Sequence, residues 1–232
     1  MEEKSSTEGD RLNKYLALRL GISRREADLY IEKKRVVING EVATLGARVL
    51  PDDSVTVDNQ PVGEVAFEYM ALNKPKGYVS SRHSQGDVPT LYTLLPNNYH
   101  TLKPVGRLDK DSSGLILLTN DGDFAYHMTH PKFYKTKIYK VRLSRDLEPL
   151  HQQMISDYGV QLEDGPSKLS LERLSENDRK EWTVTMHEGR NRQIRRTFAS
   201  LGYTVIKLHR TNFGDYALGD IKLGEYRTIK IS

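Results

Sequence analysis

The chain contains no cysteine among its 232 residues. That absence excludes a disulfide framework and any thiolate metal site, and it suits a cytosolic, cytoplasmic protein without requiring one. Long apolar runs are missing as well, since nothing approaches the roughly 18 residues that a membrane span needs. Hydrophobic residues make up 37% and the mean hydropathy is -0.61, which describes a soluble, charged protein. Residues 1–9, MEEKSSTEG, are polar and acidic, unlike a targeting segment, and are expected to form a flexible terminus. Histidine offers little: His127 and His130 stand three apart without a companion carboxylate in a ligand pattern, so no metal is expected. No internal repeat or low-complexity segment is present.

Charge is abundant and unevenly spread. The net charge is only +4. Yet residues 130–145, HPKFYKTKIYKVRLSR, carry six Lys or Arg and no acid, and residues 187–210 carry six against Glu188 alone. Between them, residues 146–181 hold nine acids and four bases. Such segregation implies a basic face and an acidic back. Tyr134 and Tyr139 lie inside the first basic stretch, where rings among cations suit stacking on exposed bases. One charge run is commonly just a solvated face; two with interleaved aromatics point to a nucleic-acid partner.

Residues 105–122, VGRLDKDSSGLILLTNDG, carry the sharpest chemical signal. Asp109 follows Arg107 by two positions, so on an extended segment both side chains leave the same face. An opposite charge that close favours the ionised carboxylate, and a carboxylate held charged at the edge of a buried strand is a candidate nucleophile. Residues 109–114 also fit the opening of a calcium loop. The twelfth place of that loop needs a bidentate Glu and is Asn120 here, and LILLT reads as a strand rather than a helix. Hydrolysis by an Asp109–Asp111 pair is weakened by the turn expected between them. A surface Asp–Arg pair beside a tight turn stays open on spacing alone.

At 232 residues the chain can hold one medium domain and a small one. Residues 10–62 read as a compact α/β module. Asp10 is placed to cap a first helix carrying Leu12, Tyr15, Leu16 and Leu20, ended by Gly21. Ser23-Arg24-Arg25-Glu26 is a capping box for a second helix with Ala27, Tyr30 and Ile31 inward. Arg24 and Arg25 oppose the dipole at its start, whereas Lys33, Lys34 and Arg35 suit its end. Val36 to Val42 forms a hairpin about Asn39-Gly40. A linker is expected over about Asp58 to Glu64, with Pro61 and Gly63 as breakers. From residue 63 to 232 strands dominate: 67–72, 116–118, 138–143, 168–174, 182–186 and 203–208, with helices over 151–157 and 191–201. The fold class expected is α+β: a small α/β module, then a mixed, mainly antiparallel sheet with flanking helices. In the second helix Ile194, Phe198 and Leu201 should pack on the sheet. Arg192 and Arg195 share an adjacent face within reach of a cleft, and Arg196 is expected to be solvated.

The first module, through RLNKYLA, GISRREADLYI, RVVINGE and VLPDDSVTV, resembles the small RNA-binding domain of the ribosomal protein S-four type. That resemblance implies RNA contacts from Arg11, Lys14, Arg24, Arg25, Lys33 and Arg35. The larger part resembles the ribosomal RNA pseudouridine synthases, through LNKPKGYVSS, PVGRLDKDSSGLILLTNDGD, YKTKIYKVRL and MHEGRNRQIRRTFASLGYTVIKLHR. The group it is similar to joins the A-type enzymes of the small subunit to the B-, E- and F-type enzymes of the large one. This implies that Asp109 initiates breakage of the uridine glycosidic bond. It further implies that Tyr139 stacks on the target base and that Arg195 pairs with the aspartate. Arg107, Arg190, Arg192 and Leu208 would bind substrate, Arg107 at a phosphate and Leu208 as an apolar wall. Lys74 and Lys76 receive no chemical step.

The implied partner is ribosomal RNA or an assembling ribosomal subunit, reached by base flipping or in a single-stranded loop. No cofactor, metal or membrane is implied, and the expected state is a monomer. A non-catalytic RNA-binding assembly factor is the alternative from another class. GVQLEDGP, EGRNR and RTNFGDYALGDIKLGEY lean towards large-subunit RNA, whereas chain length and the lack of a basic carboxy-terminal tail lean towards small-subunit RNA.

Overall fold

The computed structural model describes residues 9–82, 84 and 86–231. Apart from Gly9, the expected flexible terminus lies outside the described residues. The chain divides into two compact units, one running to Glu68 and including Asn120–Gly122, the other formed by Tyr69–Thr119 and Asp123–Ser232.

The first unit contains β1 (Asp10–Arg11), α1 (Leu12–Arg19), α2 (Arg24–Glu32), β2 (Val36–Ile38), β3 (Glu41–Val42), β4 (Arg48–Val49), β5 (Val55–Val57) and β6 (Gln60–Pro61). Leu12, Leu16, Ala27, Ile31, Val36, Val49 and Val55 bury against one another as its core. α2 opens as its sequence predicts, with Ser23 Oγ accepting from Glu26 N at 3.1 Å. α1 does not. Asp10 is drawn into strand pairing with Val49, and its carboxylate accepts from Lys14 Nζ at 3.2 Å. The first helical N–H, that of Leu12, is instead satisfied by Ala47 O at 2.9 Å.

The Asn39-Gly40 hairpin forms, with φ of 51° and 87° at its two central residues. The expected linker is corrected at its start. Asp58 and Asn59 take φ of 50° and 64° and make a second tight turn, so that β6 pairs with β5. Pro61 fits there because an edge strand needs no donor from it. Asp and Asn are among the few residues that tolerate this backbone, so they turn the chain where a linker was expected.

The second unit contains β7 (Tyr69–Lys74), β8 (Lys103–Val105), β9 (Ser113–Thr119), α3 (Gly122–Thr129), β10 (Lys137–Leu143), α4 (Pro149–Gln153), β11 (Val160–Leu162), β12 (Gly165–Ser167), β13 (Ser170–Ser175), β14 (Asp178–Met186), α5 (Gln193–Ala199), β15 (Val205–Phe213), β16 (Tyr216–Ala217) and β17 (Tyr226–Thr228). The main sheet runs β13-β14-β10-β15-β9-β7-β17, with β8 and β16 paired at β9 and β15. Only β15 and β9 run parallel; the other pairings are antiparallel, as expected for a mixed, mainly antiparallel sheet.

β9 is buried throughout because the sheet is covered on both faces. Ile116 and Leu118 face one core, with Trp182, Ile194 and Phe198, while Leu115 and Leu117 face another with Met128 and Phe213. Leu201 packs half-buried on the first of these. α3 was not expected from the sequence: the Thr-Asn-Asp-Gly turn leads straight into a helix that buries only Met128. The helix expected over 151–157 begins at Pro149 and continues beyond Gln153 as a π-turn.

Gly114 permits the parallel pairing of β15 with β9. Its φ is 108°, and a Cβ there would lie 2.2 Å from Arg210 O. No other residue lets β15 approach β9 so closely.

Candidate active site

A cleft of about 900 Å³ opens in the second unit, among the loop before β9, the connection from α3 to β10, the facing strands β10 and β15, and the entry to α5. Asp109, Tyr139, Arg107, Leu208, Arg190 and Arg192 all line it. Arg195 does not. Residues far apart in the chain therefore meet in one concavity, which is where a ligand site is expected.

The loop bearing Asp109 is held from both sides by the block around Lys74. Ser80 Oγ donates to Leu108 O at 2.9 Å and accepts from Leu108 N at 3.2 Å. Gly77 N donates to Lys110 O at 2.8 Å. Lys74 Nζ in turn donates to Pro75 O and Tyr78 O, both at 2.8 Å, which fixes the bracing loop. Burial brings the Lys74 ammonium down to about 8, against the pull of Asp109 and Asp111. Within the held segment Leu108 is buried and Arg107 exposed, while the Asp109 side chain keeps 33% exposure. A turn follows, closed by Ser112 N to Asp109 O at 3.0 Å. Of the two acids in it, Asp109 lines the cleft and Asp111 does not.

The partner expected for Asp109 is corrected. Its one ion pair among the described residues is with Arg192, whose Nη1 lies 3.6 Å from Asp109 Oδ2 and equally 3.6 Å from Asp111 Oδ2. Arg195 gives Nη1 to Val205 O at 2.7 Å and Nη2 to Asp111 O at 3.0 Å. The physical reason is the backbone at the helix entry. Arg192 precedes α5 in the left-handed region, φ 46°, whereas Arg195 is in the first turn and reaches main-chain carbonyls. Burial and then the neighbouring Arg192 lower the Arg195 pKa, with Asp111 and Asp109 opposing. Arg195 thus ties the aspartate loop to β15 and acts on Asp109 only through space.

Arg190 lines the cleft with its guanidinium heavily engaged. Its guanidinium donates to Asp164 O and Oδ1, Gly165 O, Pro166 O and Glu188 Oε2, at 2.7–3.1 Å. Those bonds clamp the β11–β12 hairpin beside the cleft and leave little for a substrate. Arg196, expected to be solvated, donates to both carboxylate oxygens of Asp164 at 3.0 and 2.6 Å. Asp164 is accordingly held below the usual carboxylate range, first by Arg196.

Tyr139 is buried, 7% exposed, and stands opposite Arg210 in the β10–β15 register. Leu208, also buried, stands opposite Val141 and lines the cleft. Tyr134 lines the cleft at 76% exposure on a left-handed backbone, φ 46°. Sequence reasoning missed Ser80 and Gly77 as braces, and Lys137 and Arg210 as cleft residues. The LNKPKGYVSS block and the basic stretch contained them, but nothing local in the sequence distinguishes a brace from a spacer.

In the first unit Arg11, Arg24, Arg25 and Lys33 are exposed. Lys14 pairs with Asp10. Arg35 is engaged by both carboxylate oxygens of Asp58, with its guanidinium 4.1 Å above the Tyr30 ring. Its fork is thus already engaged within the fold.

Among the described residues no group of three or more metal-ligating side chains is present, and no helix is long and apolar enough to cross a membrane. Residues 68–200 match the RNA pseudouridylate synthase family and residues 10–55 match the S4 domain. The chain is 37% identical over 222 residues to ribosomal small subunit pseudouridine synthase A of Yersinia pestis, covering 94% of each. It is 35% identical over 225 residues to ribosomal large subunit pseudouridine synthase B of Bacillus subtilis (strain 168), covering 95% of this chain and 92% of that one. A crystal structure of a pseudouridylate synthase superposes with a TM-score of 0.68 at 34% identity, over 96% of both chains. The matched span carries Asp109, Tyr139 and Arg192 and most of the cleft lining, and with these relatives the chain belongs to the RNA pseudouridylate synthase family.

Proposed function

We propose that this protein isomerises a uridine of ribosomal RNA to pseudouridine, with Asp109 as the nucleophile. The observation that carries the reading is a partly exposed carboxylate beside one arginine in a basic cleft walled by a buried tyrosine and leucine. Breaking the bond from the ring nitrogen to the sugar releases uracil within the site. The base then turns and rejoins the sugar through a ring carbon. The carbon loses its proton and the freed nitrogen gains one, so no atom is gained or lost overall.

Each residue answers a need of that sequence. A detached base must be retained, which Tyr139 as a platform and Leu208 as a wall would do while keeping water out. Asp109 attacks as a carboxylate, with Arg192 Nη1 3.6 Å from its Oδ2 and Arg195 tying down the same loop behind it. Arg107, exposed on the same lining, is assigned to the RNA backbone. A paired uridine is inaccessible inside a duplex, so the target is flipped out or lies in a loop.

We assign residues 10–62 to an RNA-binding domain and 63–232 to the catalytic domain. In the former, Arg11, Lys14, Arg24, Arg25 and Lys33 would meet phosphates, and Arg35 would hold the fold that presents them. Relatives are named for either ribosomal particle, with nearly equal identity. We assign the target to large-subunit RNA on GVQLEDGP, EGRNR and the segment 210–226.

The test is to incubate purified protein with each ribosomal RNA and to map pseudouridine. Wild type should form it in the large-subunit RNA. Asp109→Asn should form none while keeping its RNA affinity within about threefold. Normal turnover by that variant would remove Asp109 from its role, and product confined to small-subunit RNA would reverse the target assignment.

A further inference from the structure

The cleft's acids and cations do not balance. Three carboxylates on its lining each have an arginine: Asp109 has Arg192, Asp164 has Arg190 and Arg196, and Glu188 has Arg190 with Gln193 also donating to it. Lys137 and Arg210 line the same cleft and, among the described residues, neither makes an ion pair. Lys137 Nζ has only long contacts to carbonyls, 3.3 Å to Lys135 O and to His187 O. Arg210 is 2% exposed, donates Nε to Leu115 O at 2.7 Å, and leaves Nη2 buried without a partner. Both cations lie over the Phe213 ring, at 5.4 and 4.8 Å from its centroid. A ring face eases a cation, but it does not neutralise two. Burial, with Arg210 adding to it, pushes the Lys137 pKa down. Two like charges withdrawn from water this way are held at a cost that an incoming anion would offset.

Register says which anion. Lys137 and Tyr139 are two apart on β10, so they leave the same face roughly 7 Å apart along the strand. Across the ladder Phe213 stands opposite Lys137 and Arg210 opposite Tyr139, with the strand irregular between the two rungs. The ring that would carry a base and the surplus cation are therefore separated by about the span of one nucleoside.

We propose that Lys137, backed by Arg210, seats an RNA phosphate, that of the nucleotide whose base rests on Tyr139. This rests on the reading of the cleft as a uridine site. Lys137 makes the contact. Arg210, which Gly114 allows to lie against β9, is a positioning residue that adds fixed charge behind it. The pair would orient the flipped nucleotide by its backbone while Tyr139 and Leu208 hold the base.

The experiment has two arms, neither requiring turnover. In the first, inorganic phosphate is titrated into wild type, Lys137→Met and Lys137→Arg, and backbone amide shifts are followed at residues 137–139, 187 and 210–213. Wild type should show saturable shifts there, weakened at least tenfold in Lys137→Met and restored to within about threefold in Lys137→Arg. In the second, the affinity for a single-stranded oligoribonucleotide containing uridine is measured against salt. Lys137→Met should lower the slope of log affinity against log salt by about 0.7, the share of one phosphate on a single strand. Unchanged phosphate shifts in Lys137→Met would overturn the site. Phosphate binding without a slope change would make it a site for free phosphate alone and defeat the RNA assignment. A wild type that binds phosphate here yet forms no pseudouridine would instead defeat the enzymatic reading and leave the anion site standing.

Discussion

Two carboxylates on the same cleft are treated in opposite ways. Asp164 receives three charged hydrogen bonds at 2.6–3.0 Å from Arg190 and Arg196, and both arginines are further used on main-chain carbonyls. Asp109 has one arginine at 3.6 Å, shared equally with Asp111. The first arrangement is saturated and holds a hairpin; the second leaves acceptor capacity for something else. We propose that saturation, more than charge or position on the lining, separates scaffold from chemistry in this protein.

Swapping each acid for its amide tests the contrast most severely. Asp109→Asn should lower turnover by at least about a thousandfold, with the melting temperature unchanged within a degree or two. Rate measurements under saturating RNA and a thermal melt decide it together. Asp109→Asn that melts early with its rate intact would invert the assignment.

Arg192 sharpens the same comparison from the cation side. It holds a left-handed backbone, φ 46°, that a non-glycine residue adopts at a cost of roughly 1–2 kcal/mol. Arg192→Gly should relieve that strain, raising stability by up to about 1 kcal/mol. Turnover should fall roughly a hundredfold, as for other single electrostatic contacts to a reacting centre. A variant that is more stable and less active marks a strained functional residue; one that loses stability without losing rate marks a scaffold.

Asp164→Asn comes next. Removing its charge leaves Arg190 and Arg196 without their shared partner, so hydrogen exchange should rise across residues 160–167. KM should increase by about tenfold more than kcat falls, because the hairpin lines the cleft without touching the reaction. The pH dependence has a definite sign. Asp164 is depressed in the folded state, so its contribution is full above the ordinary carboxylate range and is lost as pH falls through the folded value. Protection of residues 160–167 should therefore weaken on acidification in wild type and stay flat in Asp164→Asn.

How far these distinctions were legible depends on which information is local. The apolar run of β9, the Asn39-Gly40 hairpin and the Ser23 cap are written in adjacent residues, and they formed as expected. The motifs that carry the resemblance hold Asp109, Tyr139 and Leu208, and all three line the cleft. The four arginines 190, 192, 195 and 196 were not separable. They lie within seven residues on one helix and its entry, and their roles are decided by Asp164, Asp109 and the Val205 carbonyl from other elements. The same holds for Asp10. A residue suited to capping was recruited by a strand partner nearly forty positions away. Where a side chain has several equivalent local fates, distant partners choose among them.

The first unit offers the mildest test of saturation as a criterion. Arg24 and Arg25 open α2 exposed and at the wrong end of its dipole, whereas Arg35 is engaged by Asp58 and stacked on Tyr30. If open donors bind RNA and saturated ones hold the fold, Arg24→Ala and Arg25→Ala should each weaken RNA binding only a few-fold and lower the salt slope by about 0.9 on a duplex region. Neither should reduce stability, since each removes a cation from a helix start. Arg35→Ala should do the reverse, lowering the melting temperature while leaving the slope per contact unchanged in protein that stays folded. Equal slopes for all three variants would mean that donor occupancy does not sort roles in this unit, and the contrast drawn at the cleft would then be confined to it.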